Sequence, residues 1–444
     1  MNSPSPASPP LSRLLALTAD AVAAVRGGRS LTDVLAQVPA VSRPGTQALA
    51  FAVLRRLGSA TAAREILAPR NPPAAVDALL VSSLALLWPD EAPPYPDHTL
   101  VDQAVTAARK KVPAAANFIN AVLRRFIRER DAVVAQAARQ PQGAWNHPAW
   151  WIDRVKADWP AHWQTLLTEA QRRPPMTLRV NARRGNVADY LARLSAEGIS
   201  GHAVEGAGLE QAIVLTQPCG VDRLPGFAQG DVSVQDLSAQ RSAALLIGAG
   251  LAPGARVLDA CSAPGGKTAH VLELADVDML ALDTDATRLA RVQQTLERLG
   301  LNARTRAADA RNVASWWDGE LFDAVLLDAP CTASGIVRRH PDIRWLRRPD
   351  DVAALARTQA ELLEALWPLV KPGGVLLYAT CSIFRDEGDH QVDAFLQRHV
   401  AEGLRVNPES PGHLLPLADN PQHAAAASLA DGFYYALLRK PDRH

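Results

Sequence analysis

Residues 256–275, RVLDACSAPGGKTAHVLELA, decide the fold of this 444-residue chain. The stretch has the pattern of a short apolar strand, a turn that contains Gly265 and Gly266, and the beginning of a helix. Glycine allows a backbone to approach a ligand closely at the N-terminus of a helix. The spacing matches neither G-x-G-x-x-G nor G-x-x-x-x-G-K-S/T, so the stretch predicts a ligand-binding loop that is not a phosphate loop.

Short apolar runs alternate with helical patterns through the C-terminal half of the chain. The runs are RVLDA (256–260), DMLALD (278–283), TRAAD (305–309), FDAVLLD (322–328) and GVLLYAT (374–380), followed by a late strand FYYALLR (433–439). This alternation predicts an α/β domain over residues 226–444, built on a doubly wound parallel sheet with helices on both faces.

Acidic residues end three of these strands. Ligands of open α/β sheets bind at the carboxyl ends of the strands, so Asp283, Asp309 and Asp328 should converge beside the Gly-Gly turn. Asp283 follows Gly265 by 18 residues, near the ~20-residue offset at which a carboxylate meets a ribose hydroxyl. A single strand-end Asp is often only a helix cap, whereas three of them together favour binding.

The absence of a phosphate loop favours a nucleoside ligand without phosphates. S-adenosyl-L-methionine is such a ligand, and its cationic sulfonium suits an acidic pocket. The sequence therefore predicts a cofactor site for S-adenosyl-L-methionine at this edge of the sheet.

The first part of the chain has a different pattern. Apolar residues recur near period 3.6 in SLTDVLAQV, GTQALAFAVLRRLG, AVDALLVSSLALLW, VDQAVTAARKKV and NFINAVLRRFIRER, which predicts an all-helical domain over 12–140. The Pro/Ser-rich residues 1–11 predict a disordered tail. Residues 141–225, rich in Trp and then in short strand-like runs, predict a small α+β connecting domain.

Composition limits the class of protein. Lys and Arg total 47, Asp and Glu total 46, and hydrophobic residues make up 48%, which excludes a largely disordered chain and a uniformly basic coat. The four cysteines contain no C-x-x-C pair, so we expect a cytoplasmic protein with free thiols. No apolar run reaches the ~18 residues of a membrane span, and no metal is expected.

Two of the cysteines follow strands. Cys331 comes just after the fourth strand and Cys381 just after the fifth. A lone Cys is usually a small buried hydrophobe, but two at neighbouring strand ends beside a methyl donor suit methylation of a pyrimidine at C5. Addition of a thiolate at C6 makes C5 nucleophilic, a base then removes the C5 proton, and the thiol is expelled.

The motifs DACSAPGGKT, LLDAPCTASGIVRRHPDIRW and YATCSIFRDEGDH closely resemble those of the Sun/Fmu (RsmB-like) family of RNA cytosine-C5 methyltransferases, and NFINAVLRRF resembles the NusB-like domain of its bacterial 16S ribosomal RNA member. The resemblance implies S-adenosyl-L-methionine-dependent methylation of C5 of a cytosine in 16S ribosomal RNA, of the cytosine-967 type. A covalent Cys–C6 adduct is implied as the intermediate.

The resemblance also implies the roles of particular residues. Cys381 corresponds to the nucleophile and Cys331 to the cysteine linked to product release, although DNA cytosine methyltransferases use the Pro-Cys position, so Cys331 is the rival nucleophile. Asp328 lies close enough in sequence to Cys331 to contact the base. The implied cofactor-binding residues are Ala260, Cys261, Ser262, Ala263, Pro264, Gly265, Gly266, Lys267, Asp283, Asp309 and Asp328.

Basic residues indicate an RNA partner. The candidates are Arg338, Arg339, Arg344, Trp345, Arg347 and Arg348, which follow Cys331, and Arg124 and Arg125 on a helix. Arginine binds phosphate bidentately, and Trp345 could stack on a base. The alternative for the segment after Cys331 is a solvated lid with internal ion pairs to Asp350 and Asp351. We expect a monomer that binds small-subunit ribosomal RNA.

Two other functions stay open at this point. One is an RNA-binding assembly or antitermination factor whose sheet is catalytically idle. The other is a methyltransferase acting on an exocyclic amine or on protein, which would need no thiol and would more typically carry Asn/Asp-Pro-Pro-aromatic where this chain has Asp-Ala-Pro-Cys. Lys267 is either a source of positive potential for a thiolate or a charge on a helix surface.

Overall fold

A computed structural model describes residues 9–89, 93–417 and 429–442. Most of the predicted tail, residues 1–8, lies outside this part. The described chain packs as two compact units, Met1–Arg172 with Val337–Pro349, and Arg173–Ile336 with Asp350–His444. Within the described residues no helix is long and apolar enough to cross a membrane.

The first unit is helical. Before residue 173 its helices in chain order are α1 (Leu11–Arg26), α2 (Leu31–Ala36), α3 (Arg43–Arg55), α4 (Leu57–Leu67), α5 (Ala74–Leu86), α6 (Asp97–Lys111), α7 (Ala116–Arg128), α8 (Arg130–Ala137), α9 (Pro141–Trp145), α10 (Ala149–Asp158) and α11 (Trp163–Glu169). Helix α5 is buried on nearly every side, as expected of a central helix. The helices continue past residue 140, so the predicted connecting region begins inside this unit.

The remaining elements complete the chain. The helices are α12 (Val187–Ala196), α13 (Leu237–Gly248), α14 (Gly266–Leu274), α15 (Ala286–Leu299), α16 (Ile343–Leu346), α17 (Pro349–Leu366) and α18 (Asp389–Arg398). The strands are β1 (Thr177–Val180), β2 (Gly201–Ala203), β3 (Ala212–Leu215), β4 (Val232–Val234), β5 (Ala255–Asp259), β6 (Val277–Asp283), β7 (Arg304–Ala307), β8 (Phe322–Asp328), β9 (Val370–Thr380), β10 (Arg405–Val406), β11 (Gly412–Leu414) and β12 (Phe433–Arg439).

The second unit contains two sheets. The smaller is antiparallel, with strand order β2-β3-β1-β4, and packs against α12 through a small core that includes Leu178, Tyr190 and Leu194. The larger has the order β10-β12-β9-β8-β5-β6-β7, with β11 beside β12. Strands β5 to β9 pair in parallel and β12 is antiparallel to β9.

Helices cover both faces of the large sheet, which confirms the predicted doubly wound α/β fold. Successive residues of one strand point to opposite faces. Leu258 lies in a core with α17 and α18, whereas its neighbour Val257 lies in a core with α13, α14 and α15. The order places β5 and β8 side by side at the point where the winding reverses, which is where such folds bind ligands.

A buried ion pair joins the small sheet to the helix that follows the Gly-containing loop. Arg179 of β1, 1% exposed, donates from Nε and Nη2 to the Glu273 carboxylate of α14 at 2.9 and 2.8 Å. Its Nη1 donates to the carbonyl oxygen of Gly266 at 3.0 Å. The small sheet therefore fixes both ends of α14 and the loop before it.

We predict that Arg179→Met destabilises the full chain by about 3–5 kcal/mol, because it leaves the Glu273 carboxylate buried and unpaired. The double variant Arg179→Met/Glu273→Met should recover most of this loss, since both charges are then removed. Urea unfolding measures both. A double variant as unstable as the single one would contradict this account.

Candidate active site

The structure brings the two predicted cysteines together. Strands β8 and β9 are parallel neighbours in which Asp328 lies opposite Ala379, and the cysteines follow these positions by three and two residues. The Sγ atoms of Cys331 and Cys381 lie 3.4 Å apart, within the range of a thiol hydrogen bond. Two residues 50 positions apart in sequence thus form one dithiol site.

The environments of the two thiols differ. Cys331 is 9% exposed, whereas Cys381 is partly exposed. The hydrogen bond to Cys381, followed by burial, raises the pKa of Cys331 well above its usual value. Cys331 is therefore held as a protonated thiol, and the contact geometry allows either sulfur to be the donor.

Lys267 and Asp328 form an ion pair at the same edge of the sheet. Lys267 Nζ lies 2.6 Å from Asp328 Oδ2 and 5.3 Å from the centre of the Phe433 ring. Burial alone would lower the pKa of Lys267, but the charge and hydrogen bond of Asp328 outweigh it and raise the pKa, and the charge of Cys381 contributes in the same direction. Lys267 thus acts as a fixed positive charge beside the thiols.

The end of β5 and the loop after it carry buried polar atoms. Asp259, the last residue of β5, is fully buried and accepts from Thr268 Oγ1 at 2.6 Å. Among the described residues, neither its second oxygen nor Ser262 Oγ has a hydrogen-bond partner, although both are buried. Unpaired buried polar atoms are costly, so this loop fits a polar ligand that would satisfy them.

Gly265 and Asp283 shape the same loop. Gly265 has φ +97°, and a Cβ there would lie 3.1 Å from Val292 Cα, so both conformation and space require glycine. Asp283, 4% exposed, accepts from the backbone N–H groups of Ala263 at 3.2 Å and Asp285 at 3.0 Å. A carboxylate has about four acceptor positions, so capacity is left for hydroxyl donors of a ribose.

The other predicted cofactor residues have protein partners or are apolar. Asp309 lies two residues beyond the end of β7 and is bound on both oxygens by Arg311, which lowers its pKa. Burial and the charge of Asp259 raise the pKa of Cys261, so its thiol stays neutral. In the loop itself Ala260 and Ala263 are buried and Pro264 is exposed.

The basic segment after Cys331 belongs to the helical unit. The prediction is wrong for Arg344, because this side chain is fully buried and donates to the carbonyl oxygens of Ala170 at 2.6 Å and Val337 at 3.1 Å. Trp345 Nε1 donates to the Leu54 carbonyl oxygen at 2.9 Å, and the ring packs on the helical core. Arg338 is buried, Arg339 and Arg347 are half-buried, and Arg348 is exposed.

Helix α7 presents the other two candidates to solvent. Arg124 and Arg125 are exposed, while Leu123 and Phe126 are buried. Arg124 donates to Asn120 Oδ1 at 3.0 Å, and Arg125 pairs with Glu129 at 3.0 Å. Exposed pairs of this kind are weak, so both guanidinium groups can exchange partners for phosphate.

The residues 256–275 and the strands around them define a class of protein, a methyltransferase-type nucleoside-binding domain with a dithiol at its ligand edge. The family model for the 16S rRNA methyltransferase RsmB/F matches residues 250–439, and that for the ferredoxin-like domain of RsmF/B-like methyltransferases matches residues 147–222. The ribosomal RNA small subunit methyltransferase B of Pseudomonas syringae pv. tomato is 43% identical, covering 95% of this chain and 96% of that one. The chain belongs to the RsmB/F family of 16S rRNA methyltransferases, which confirms the resemblance.

Further comparisons agree. The ribosomal RNA small subunit methyltransferase B of Xanthomonas campestris pv. campestris is 44% identical over 93% of each chain. The solved structure of PH0851 shares the fold, with a TM-score of 0.75 at 24% identity over 97% of this chain and 99% of that one. A methyltransferase homolog from Pyrococcus horikoshii is 28% identical, with a TM-score of 0.54 over 65% of this chain and 93% of that one. Membership of this methyltransferase family confirms the predicted cofactor, S-adenosyl-L-methionine.

Sequence reasoning missed two buried acidic residues. Asp259 ends the first strand of the RVLDA motif, and its place at a strand end was a usable signal. Glu387 lies in RDEGDH, whose charges are typical of a surface turn, yet it is fully buried. Among the described residues no group of His, Cys, Asp and Glu is arranged to hold a metal ion.

We predict that the Asp259→Asn variant gains stability over the wild type as pH rises. Burial raises the pKa of Asp259 to about 7, so the folded chain retains a proton that the unfolded chain releases above about pH 4. Stability of the wild type therefore falls between about pH 4 and about pH 7 through this group, and an amide removes the effect. The difference in Tm between the two proteins, measured from about pH 5 to about pH 8, should widen.

Asp323→Asn provides a matched control at the amino end of β8. Partial burial alone would raise the pKa of Asp323, but Lys371 and the backbone N–H of Arg256 lower it. Its contribution to stability is therefore complete above about pH 4 and is lost only below that pH, so the Tm difference for Asp323→Asn should stay constant from about pH 5 to about pH 8. A pH-independent difference for Asp259→Asn would contradict the assignment.

Proposed function

We propose that this protein methylates C5 of a cytosine in 16S ribosomal RNA through a covalent adduct between Cys381 and C6 of the base. The observation that carries the proposal is the 3.4 Å contact between the Cys331 and Cys381 sulfurs beside the Lys267–Asp328 ion pair. An idle sheet, or a methyltransferase acting on an amine, has no use for a dithiol in this position. The substrate places the enzyme in the cytoplasm.

Cys381 is the nucleophile in this proposal. It is the more exposed of the two thiols, and Lys267 supplies positive charge that favours its thiolate. The thiolate forms a bond to C6 and the electron pair of the C5–C6 double bond moves to C5, which becomes the nucleophile. A bound sulfonium donor would give its methyl group to this carbon and leave as the neutral thioether. Asp328, on the strand that leads to Cys331, is the candidate for contact with the base edge.

Cys331 holds the proton until the adduct has formed. The hydrogen bond to Cys381 is the first cause of its raised pKa. Once Cys381 is bonded to C6, its sulfur is a neutral thioether, so this cause disappears and Cys331 becomes easier to ionise. After its own proton has passed to solvent, the Cys331 thiolate accepts the C5 proton, and the electron pair of the broken C–H bond expels the Cys381 thiolate.

S-adenosyl-L-methionine supplies an electrophilic methyl group when it is bound. The residues that would hold it are those of the loop 260–267, with Asp259 and Ser262 offering unpaired oxygens and Asp283 facing a ribose. Both oxygens of the Asp309 carboxylate accept hydrogen bonds from Arg311, so Asp309 would have to share them with a cofactor.

We predict that Cys381→Ala abolishes methyl transfer, whereas Cys331→Ala accumulates an RNA adduct that survives denaturing electrophoresis. The first variant lacks the nucleophile and the second lacks the group that accepts the C5 proton. Tritiated methyl transfer to 16S RNA measures the activity. Cys219→Ala, in the core of the small sheet, is the matched control and should keep its activity.

Other outcomes would reverse or remove the proposal. Adduct accumulation in Cys381→Ala would assign the nucleophile to Cys331. Full activity of Cys381→Ala would indicate methylation of an amine. Bisulfite sequencing of ribosomal RNA from a deletion strain identifies the cytosine, and an unchanged pattern would rule out this substrate.

RNA phosphates are proposed to bind the exposed face of α7. The double variant Arg124→Ala/Arg125→Ala should weaken RNA binding and reduce the slope of log K against log salt by about 1 for each phosphate that is no longer neutralised. Arg304→Ala removes a similarly exposed arginine from the edge strand β7 and is the control. Equal slopes for all three proteins would place the RNA-binding surface elsewhere.

A further inference from the structure

One buried carboxylate contacts both cysteine-bearing turns. Glu387 is fully buried. It accepts from the backbone N–H of Thr332 at 2.8 Å and from the Thr332 hydroxyl. It also accepts from Ser382 Oγ at 2.6 Å. Thr332 follows Cys331 and Ser382 follows Cys381, so one side chain joins the residues next to the two thiols.

Gln359 of α17 completes the set of donors. Its Nε2 donates to Glu387 at 3.2 Å and to the carbonyl oxygen of Pro330 at 2.9 Å. The single hydroxyl hydrogen of Tyr378 faces two acceptors, the Glu387 carbonyl oxygen at 2.9 Å and Gln359 Oε1 at 3.1 Å. The residue before Cys331 is therefore tied to the same network as the residue after it.

The hydroxyl hydrogens establish the direction of the bonds between the turns. Ser382 has one hydroxyl hydrogen and gives it to Glu387, so its oxygen accepts from Ser334 Oγ at 2.8 Å and from the Phe384 N–H at 3.0 Å. Ser334 Oγ in turn accepts from the Ile383 N–H at 2.9 Å. Two of these bonds, from Ser334 to Ser382 and from Ile383 to Ser334, link the two turns directly.

The turn after Cys331 needs such support. Ala333 has φ +59°, a left-handed conformation that is unfavourable for a residue with a side chain. Strain of this kind persists only where the surroundings enforce it. The bonds from Glu387 and Ser382 lie on either side of Ala333 and supply that constraint.

We propose that Glu387 is a positioning residue that sets the separation of the Cys331 and Cys381 sulfurs. The role rests on the proposed function, since it matters for activity only where both thiols react with the base. Its reach across the two turns, rather than its charge, is the property that the site uses. All four donors to it are neutral amides and hydroxyls.

A series at position 387 separates reach from charge. Glu387→Ala removes both, Glu387→Asp keeps the charge but is one methylene too short, and Glu387→Gln keeps the reach without the charge. The glutamine oxygen can accept the N–H groups, and its amide can donate to the two hydroxyls after they rotate. We expect the single-turnover rate of methyl transfer to fall about 10- to 100-fold in Glu387→Ala and Glu387→Asp. The rate of Glu387→Gln should stay close to that of the wild type.

Two measurements exclude a general loss of structure. The Kd of S-adenosyl-L-methionine should stay within about threefold in all three variants, because the loop 260–267 makes none of these bonds. Thr332→Val should slow the reaction in the wild type and have little further effect in Glu387→Ala, since the carboxylate that the Thr332 hydroxyl contacts is gone. Asp323→Asn serves as a control for ordinary destabilisation.

A probe that needs no RNA tests the geometry by itself. Phenylarsine oxide condenses with two neighbouring thiols, forming two As–S bonds and releasing one water. We expect its affinity for the wild type to exceed that for Glu387→Ala by about tenfold, with Glu387→Gln close to the wild type and Cys331→Ala as the single-thiol control.

The methylation assay and the arsenical-binding assay together distinguish failure of the proposed function from failure of the positioning role. A wild type that binds the arsenical but methylates no RNA would remove the proposed function and leave the positioning role intact. A rate that follows charge, with Asp more active than Gln, would overturn the proposal, as would equal arsenical affinity in Glu387→Ala and the wild type.

Discussion

The site depends on the pairing of two parallel strands, β8 and β9. Their register places Asp328 beside Ala379, so the chain leaves both strands at nearly the same height. Cys331 and Cys381 therefore meet although they are 50 residues apart in sequence. A shift of one residue in this register would turn each strand's buried side chains to the opposite face and separate the sulfurs. The packed cores on both faces of the sheet thus hold the strand register, and with it the position of the two thiols.

Burial gives chemically similar groups different properties at this edge. Cys331 and Cys261 have raised pKa values and stay protonated, whereas Cys381 lies partly exposed beside a lysine. Asp259 titrates near neutrality because it is buried, but Asp328 has a lysine partner at 2.6 Å. A low-dielectric setting with few fixed charges therefore gives the two thiols the different acidities that the proposed reaction requires.

The sequence predicted the strands of the large sheet and the elements of the site that follow from periodicity and strand ends. The apolar runs are long enough to be recognised, and parallel strands must end at a common edge, so the meeting of Cys331 and Cys381 could be inferred. Arg344 and Glu387 could not be placed, because both lie among charged neighbours that are typical of exposed loops. Only the tertiary structure shows that Arg344 donates to backbone carbonyl oxygens. It likewise shows that Glu387 accepts hydrogen bonds from the two cysteine-bearing turns.

The late strand FYYALLR, β12, contributes to this site although it is distant in sequence from both cysteines. A Cβ on Gly335 would lie 1.9 Å from the Gly432 carbonyl oxygen, so the turn after Cys331 packs directly on the start of β12. Gly335 N donates to the Cys381 carbonyl oxygen at 3.0 Å and Gly432 N to that of Gly335 at 2.9 Å, while Phe433 lies against Lys267. The turn after Cys331 and the side chain of Lys267 thus both pack against the start of β12. Antiparallel β12 also pairs along β9, so one strand supports both the edge of the sheet and the turn after Cys331.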